Sequence, residues 1–447
     1  MLARRAFRPR PCAALATGAL CLLQASSARA ASGAPAALPS LDELWVLFAA
    51  VLVFFMQAGF KCLEVGLTQR KSGTSVAMKN LIDWVLTTLF FFLFGFGFLF
   101  GRSLSGLLGT DLFALEGFER HHHALGLTFF LFQAAFAGTS TTIVSGAMAE
   151  RTSFMAYLVG CIWLAGFVYP VFGHWVWSGA FDPNNPGWLE QLGFMDFAGS
   201  SVVHSTGAWF ALVGMTLVGP RRGRFDAHGA PRPLRSHSIA YAGLGVFILW
   251  MGWWGFNGGS TLAFNASVAR IILNTNLAGA MGGFVAFAHA QAFPGRKDVA
   301  EKFLGGILGG LVAITAGCHV VTPLAALAVG AAAGLVHNLS YDWMLYRLRI
   351  DDPVAAVPVH GFCGVWGVLA VALFGRPERL NHPWLYQLGI QALGAAVCLV
   401  WAALNAAFVF TLVGKTIGLR VTATEEELGV ELTPDLMGRG PSPRPPS

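Results

Sequence analysis

The chain has 447 residues, of which 55% are hydrophobic and 12% charged, and its net charge is +6. Soluble domains carry about 25% charged residues, so an ordinary soluble protein is excluded and a polytopic membrane protein is expected. The basic residues lie in loops between apolar runs and form no single patch, which excludes a nucleic-acid-binding surface.

The N-terminus reads as a signal peptide over residues 1–30. Arg4, Arg5, Arg8 and Arg10 form a basic n-region, Cys12 to Leu23 an apolar h-region, and Ala28-Arg29-Ala30 a cleavage site. The apolar run is shorter than the roughly 20 residues that span a bilayer. An uncleaved first helix is the alternative reading. Cleavage would leave the mature N-terminus outside.

Eleven apolar runs of about membrane length follow, at about 44–67, 80–101, 125–148, 154–177, 197–218, 239–257, 274–290, 303–318, 323–338, 354–374 and 385–413. The expected fold is therefore all-α, with a membrane domain over 31–413 and a polar cytoplasmic tail over 414–447. Orientation follows from the loops. Predicted inner segments carry Arg70, Lys71, Lys79, Arg151, the cluster Arg221, Arg222, Arg224, Arg232 and Arg235, and further Lys and Arg residues up to the tail. Predicted outer segments carry Arg102, Arg120, Arg270, Arg376 and Arg379. This asymmetry places the C-terminus in the cytoplasm of a multi-pass inner (plasma) membrane protein.

Several isolated features have two readings. Lys61 lies inside the first span, and Glu64, three positions on, can pair with it; a structural ion pair is favoured over a functional charge. His121, His122 and His123 fall in an outer loop, where a solvated loop is favoured over a metal trap. The seven cysteines lie in or beside apolar runs without metal or disulfide spacing, so they read as small apolar fillers. No cofactor or metal is expected. In the tail, Glu425 to Glu427 suggest an ordered segment ahead of a Pro-rich, disordered end.

The pattern that organises the chain is a repeated frame. Asp196 to His204 and Asp352 to His360 both read Asp-x7-His with Val before the His, and they open the fifth and tenth spans. Five spans is an odd number, so the repeats are inverted: two five-helix repeats plus a C-terminal helix. Inverted repeats place transport sites near the midplane. Each His lies about 12 Å deeper than its Asp at the helical rise, so the two imidazoles converge. Either His alone could be a packing residue; the matched pair favours function.

Such a site suits a small polar or cationic species. A charge in hydrocarbon costs from ~3 to more than 10 kcal/mol, and cation–π contacts offset roughly 0.5–2 kcal/mol each. Phe132, Phe136 and Trp177 at the outer ends of spans supply such faces, Ser260 an acceptor oxygen, and Asp196 negative charge, either to the ion or by fixing the backbone. Deeper in, desolvation keeps His204 and His360 neutral or sharing one proton. Neutral imidazoles can pass ammonia and relay a proton; a bare alkali ion gains nothing comparable.

At these residues the chain resembles the ammonium transporter family (Amt/Mep/Rh), on the Amt side. The carrying motifs are Asp-Phe-Ala-Gly-Ser-Ser-Val-Val-His at 196–204, Phe-Ala-Gly-Thr-Ser-Thr-Thr-Ile-Val-Ser-Gly-Ala-Met-Ala-Glu-Arg at 136–151, Gly-Phe-Asn-Gly-Gly-Ser at 255–260, and Asp-Asp-Pro-Val-Ala-Ala-Val-Pro-Val-His-Gly-Phe-Cys-Gly at 351–364. The resemblance covers about 41–437. It implies eleven helices, a homotrimer with one pore per subunit, and a transporter rather than an enzyme. By matching motif, Phe132, Phe136, Trp177 and Ser260 would form an outer ammonium site, Phe136 and Phe256 a stacked gate, and Asp196 an aid to recruitment and deprotonation. His204 and His360 would be the twin pore histidines. It also implies tail contacts with the neighbouring subunit and a PII-type nitrogen regulator at the cytoplasmic face. The chain departs from the family pattern at Ser200, where a second Gly is common, at Pro358, two residues before His360, and at Lys61. An ammonium sensor using the same site and an Rh-type gas channel are the alternatives. A membrane enzyme with two metal-ligating His lacks the companion ligands such sites need.

Overall fold

The computed structural model describes residues 40–121, 123–293 and 298–429. The expected signal peptide, His122 and the end of the tail lie outside the described residues. Eleven long helices make up the described chain. They are α1 (Leu41–Leu67), α2 (Arg70–Phe100), α3 (Leu127–Ala147), α4 (Phe154–Ala180), α5 (Ser200–Val218), α6 (Ile239–Gly259), α7 (Ser267–Gln291), α8 (Val299–Thr315), α9 (Pro323–Leu348), α10 (Val357–Phe374) and α11 (Trp384–Thr416). A short α12 (Ala423–Leu428) follows. Among the described residues there is no named strand, and β-pairing is confined to isolated bridges such as Thr152 with Arg420.

Ten of these helices are long and apolar enough to cross a membrane. The eleventh, α8, has 17 residues, close to 26 Å at the helical rise, and is buried along nearly its whole length. The apolar windows lie inside the helices, but the helices run further. Four of the starts are set by side-chain caps rather than by hydropathy: Ser40, Ser153, Ser238 and Thr322 each accept a first-turn N–H through the side chain. Pro323 follows Thr322 at the first helical position, where a missing N–H costs nothing. Helix α2, which has no side-chain cap, begins at Arg70, ten residues before its apolar run.

The outer surface is apolar where it would meet lipid. Phe48, Val51, Phe54 and Phe55 of α1 and Leu404, Phe408 and Leu412 of α11 are exposed. Inside, glycines let helices cross in backbone contact. A Cβ on Gly245 of α6 would overlap the backbone of Leu63 in α1, and one on Gly282 of α7 the carbonyl of Gly306 in α8.

The two halves are inverted copies. Helix α5 runs from the end carrying Trp177 and Ser260 (the aromatic end) towards Arg221 at the opposite, basic end. Helix α10 starts beside Arg221, whose guanidinium grips Asp351 with Nε–Oδ2 at 2.8 Å and Nη2–Oδ1 at 2.9 Å. The second helix therefore enters from the face that the first one leaves. Both open with a wide π-turn, Ser200–Ser205 and Val357–Phe362, and both of those turns hold the His of the repeated frame.

Candidate functional site

Asp196 caps α5. Its Oδ1 accepts from the N–H groups of Gly199 and Ser200 at 3.0 and 2.8 Å; Oδ2 accepts from the N–H groups of Ser201 and Val202 and the Ser201 hydroxyl at 2.6–2.9 Å. The four orphan donors of the helix start are thus satisfied by one carboxylate at the positive end of the dipole. Gly199 turns the chain into this arrangement at φ 108°. Of the two roles expected for Asp196, fixing the backbone is the one its geometry displays. Its carbonyl accepts from Trp177 Nε1 at 2.7 Å, so the same residue holds the indole in place. Asp352 performs a lighter version, accepting from the N–H of Val357 at 2.8 Å and of Val354 at 3.3 Å.

Ser200 and Pro358, the two departures from the family pattern in these frames, fit. Ser200 Oγ donates to the Val312 carbonyl at 2.6 Å and accepts from the Ala316 N–H at 2.8 Å, tying α5 to α8. Pro358 lies in the first turn of α10, so it removes no helical hydrogen bond and leaves His360 in place.

At the aromatic end a cavity of about 50 Å³ is lined by Phe132, Gln133, Phe136, Trp177, Ala180, Phe197, Ser260 and Leu262. It has room for a species the size of a water molecule. Phe132 and Phe136 lie 4.6 Å apart, and the Trp177 ring meets Phe136 edge-on at 6.1 Å. The Ser260 hydroxyl donates to the Phe256 carbonyl at 2.8 Å, which leaves its oxygen lone pairs for a guest. The expected outer residues therefore share one wall. Gln133, Phe197 and Leu262 join them without having been singled out in sequence.

Beneath the cavity Phe136 and Phe256 stack with centroids 4.0 Å apart and planes at 15°, both buried. Then comes His204, whose ring lies 5.3 Å from Phe256 and 5.1 Å from Trp253. Trp253 is held by its Nε1 donating to Thr315 Oγ1 at 2.9 Å. His360 follows, with the Nδ1 atoms of the two histidines 3.2 Å apart. A neutral pair satisfies this contact only if one Nδ1 carries hydrogen and the other a lone pair. The two rings must therefore be opposite tautomers, and two imidazolium rings would set N–H against N–H. Among the described residues His204 Nε2 has no hydrogen-bond partner.

Below His360 lies a second, smaller cavity of about 10 Å³, walled by Phe60, Leu63, Glu64, Ile143, Leu308, Val354, Ala356, Val359 and His360. Here the sequence reading needs correction. Glu64 does not pair with Lys61. Its Oε2 accepts from Asn80 Nδ2 at 2.8 Å and Ser145 Oγ at 2.6 Å, and its side chain is buried while Lys61 is partly exposed. Three residues apart on a helix is close enough to pair, but here α2 and α3 offer Glu64 better-placed donors.

Two loop groups have displaced proton affinities. His319, between α8 and α9, stacks on Phe197 at 4.1 Å. Burial, with Arg379 and Arg270 adding to it, pushes its imidazole down to about 4. At the basic end, burial works against the Asp351 carboxylate. The Arg221 guanidinium overrides it and holds the carboxyl well below the usual range. Arg221 also pairs with Glu150. The tail rests on this cluster. Val421 N–H donates to the Arg151 carbonyl, Arg420 Nη2 meets Glu426 Oε2 at 2.8 Å, and Lys71 Nζ donates to the Glu426 carbonyl at 2.6 Å. The ordered acidic segment expected at 425–427 is α12, closed by a Thr422–Glu425 capping box.

These features define a class: a polytopic helical membrane protein built from inverted repeats around a closed aromatic and imidazole column. The sequence profile of the Ammonium Transporter Family matches residues 44–434. Ammonium transporter Amt2 of Archaeoglobus fulgidus is 39% identical over 416 residues, covering 88% of this chain and 86% of its own. A solved structure described as a sensor Amt protein superposes with a TM-score of 0.86 at 43% identity, over 88% of this chain and 97% of the other. Candida albicans Mep2 superposes with a TM-score of 0.77 at 27% identity, over 86% and 87%. The chain belongs to the ammonium transporter family, a family of transporters and not of enzymes.

Proposed function

We propose that this chain carries ammonium nitrogen across the inner (plasma) membrane, in the service of nitrogen uptake. The observation behind the reading is the unbroken order of groups along one line: aromatic cavity, Phe136–Phe256 stack, and the His204–His360 contact at 3.2 Å. Ammonium is drawn into the outer cavity by the faces of Phe132, Phe136 and Trp177 and by the Ser260 oxygen. Asp196 supports that site by holding Trp177 and the α5 start. The cation cannot enter the apolar segment without a cost of several kcal/mol, so it gives up its proton to water on the outer side before crossing. Ammonia then crosses the Phe136–Phe256 gate and exchanges hydrogen bonds with the paired imidazoles. Their opposite tautomers offer it one donor and one acceptor.

In this reading the aromatic end faces outward and the basic end the cytoplasm, as the loop charges favour. The leader at 1–30 is removed, 31–413 forms the membrane domain, and the tail from 414 is cytoplasmic. The protein assembles as a homotrimer, and a PII-type regulator is its partner at the basic end. Similarity to a protein described as a sensor supports a second reading, ammonium binding without transport.

One experiment separates the two. Purified protein in sealed liposomes receives an ammonium pulse, with potassium as control ion, and both current and internal pH are recorded. A saturable response to ammonium that is missing with potassium and lost in His204→Ala supports transport. Ammonium binding without current or pH change supports sensing.

A further inference from the structure

Among the described residues Glu64 is a buried carboxylate in the wall of the cavity beneath His360 with no salt-bridge partner, and the sequence gives it no role beyond an ion pair that does not form. The residue is 1% exposed and lies in the last turn of α1. Among the described residues no salt bridge reaches it. Oε2 is held by two neutral donors, Asn80 on α2 and Ser145 on α3, and no hydrogen bond is recorded at Oε1. Gly146 makes room for the group: a Cβ there would press on Glu64 Cγ and Cδ and on Val354. Glu64 forms part of the wall of the small cavity beneath His360, where Glu64 and His360 are the polar residues and all others are apolar. Burying a carboxylate without a counter-charge is unfavourable, so such a group inside a membrane marks a working site rather than a brace.

We propose that Glu64 is the exit-side proton donor of the column, a second protonation site one step beyond His360. This rests on the transport reading above. Ammonia leaving His360 enters a small, largely apolar space in whose wall Glu64 supplies the carboxylic acid. The protonated Glu64 carboxyl gives its proton to the ammonia nitrogen: an O–H bond breaks, an N–H bond forms, and carboxylate and ammonium result. Ammonium leaves towards the basic end, and the carboxylate regains a proton from water on that side. Asn80 and Ser145 hold the carboxyl in both states without fixing its charge. The ionisable groups around it are Lys79 and Asp83 on α2, Tyr157 on α4 and His360 on α10. Lys79 is engaged elsewhere, donating to the Thr152 carbonyl at 3.0 Å. Tyr157 donates to Asp83 at 2.9 Å.

Glu64→Gln tests this, because the amide keeps an acceptor for Asn80 and Ser145 but cannot donate and regain a proton. Wild type, Glu64→Gln and Glu64→Asp are compared in liposomes at fixed outer pH while the inner pH is varied. The expected result is a wild-type rate that depends on inner pH, a fall of about ten-fold or more in Glu64→Gln with that dependence flattened, and partial recovery in Glu64→Asp. A Glu64→Gln rate equal to wild type, or a lowered rate with the inner-pH dependence intact, overturns the proposal. The second outcome would make Glu64 a packing residue. Wild type that moves no ammonium at all would instead sink the transport reading itself, and the two failures are read from different samples.

Discussion

His204 and His360 come from different halves of the chain, 156 residues apart, and meet Nδ1 to Nδ1 at 3.2 Å. The contact is a product of the inversion. Each imidazole is delivered by the opening π-turn of a helix that starts at the opposite face. Among the described residues neither imidazole makes another hydrogen bond, so each fixes the tautomer of the other.

His204→Ala removes half of that contact and leaves a void beside Trp253 and Phe256. Ammonium transport is expected to fall by about 10²-fold while ammonium binding at the outer cavity persists, since none of its lining residues is touched. Binding measured by quenching of indole fluorescence, alongside flux, checks both halves of the statement.

Asp196→Asn sets an amide NH2 against backbone N–H groups that the carboxylate now satisfies. The expected cost is about 1–3 kcal/mol. Thermal unfolding in detergent should show a lowered midpoint, together with weakened binding, because the cap positions the backbone carbonyl that holds Trp177. A midpoint equal to wild type would mean the cap is dispensable.

Thr315→Val leaves the indole N–H of Trp253 buried without its partner. The expected loss is about 1 kcal/mol, the scale of hydrogen bonds between membrane helices. Flux should fall as well, since Trp253 stacks on His204; a variant with normal flux and reduced stability would restrict Trp253 to packing.

Protonation of His319 gives a pH dependence with a definite sign. Its ordinary value is 6.5 and its folded value about 4. Between these the unfolded chain binds the proton and the folded chain does not, so this residue lowers stability as pH falls from 6.5 to 4. His319→Gln should therefore lose less stability than wild type over that window, read as a smaller drop in unfolding midpoint between pH 7 and pH 5.

Glu426 anchors the tail, accepting from Arg420 at 2.8 Å and from the Arg222 N–H at 2.7 Å. Glu426→Ala is expected to raise hydrogen exchange at 418–428 with the helices of the membrane domain unchanged. Protection identical to wild type would show that Lys71 and the Arg151 carbonyl hold the segment without it.

Much of this was legible in the sequence because polar residues in a hydrophobic chain stand out. Asp196, His204 and His360 were visible as polar positions in matched frames, and inversion followed from counting spans. The helix starts were less legible. Arg70 to Lys79 lie ahead of an apolar run, and hydropathy stops where an amphiphilic helical segment continues. Trp253 and Gln133 were hidden among many aromatics and polar helix residues, for their importance lies in what they touch across the bundle. Glu64 was visible but misassigned, because spacing along one helix says nothing about donors presented by the next two.

The stack of Phe136 on Phe256 has a consequence for speed. With ring centroids 4.0 Å apart there is no standing opening between them, so on the proposed path every molecule that crosses would wait for the rings to part. Flux through such a barrier is a count of discrete events set by side-chain motion in a close-packed wall. It should therefore rise steeply with temperature and saturate at high concentration, as diffusion through an open hole does not.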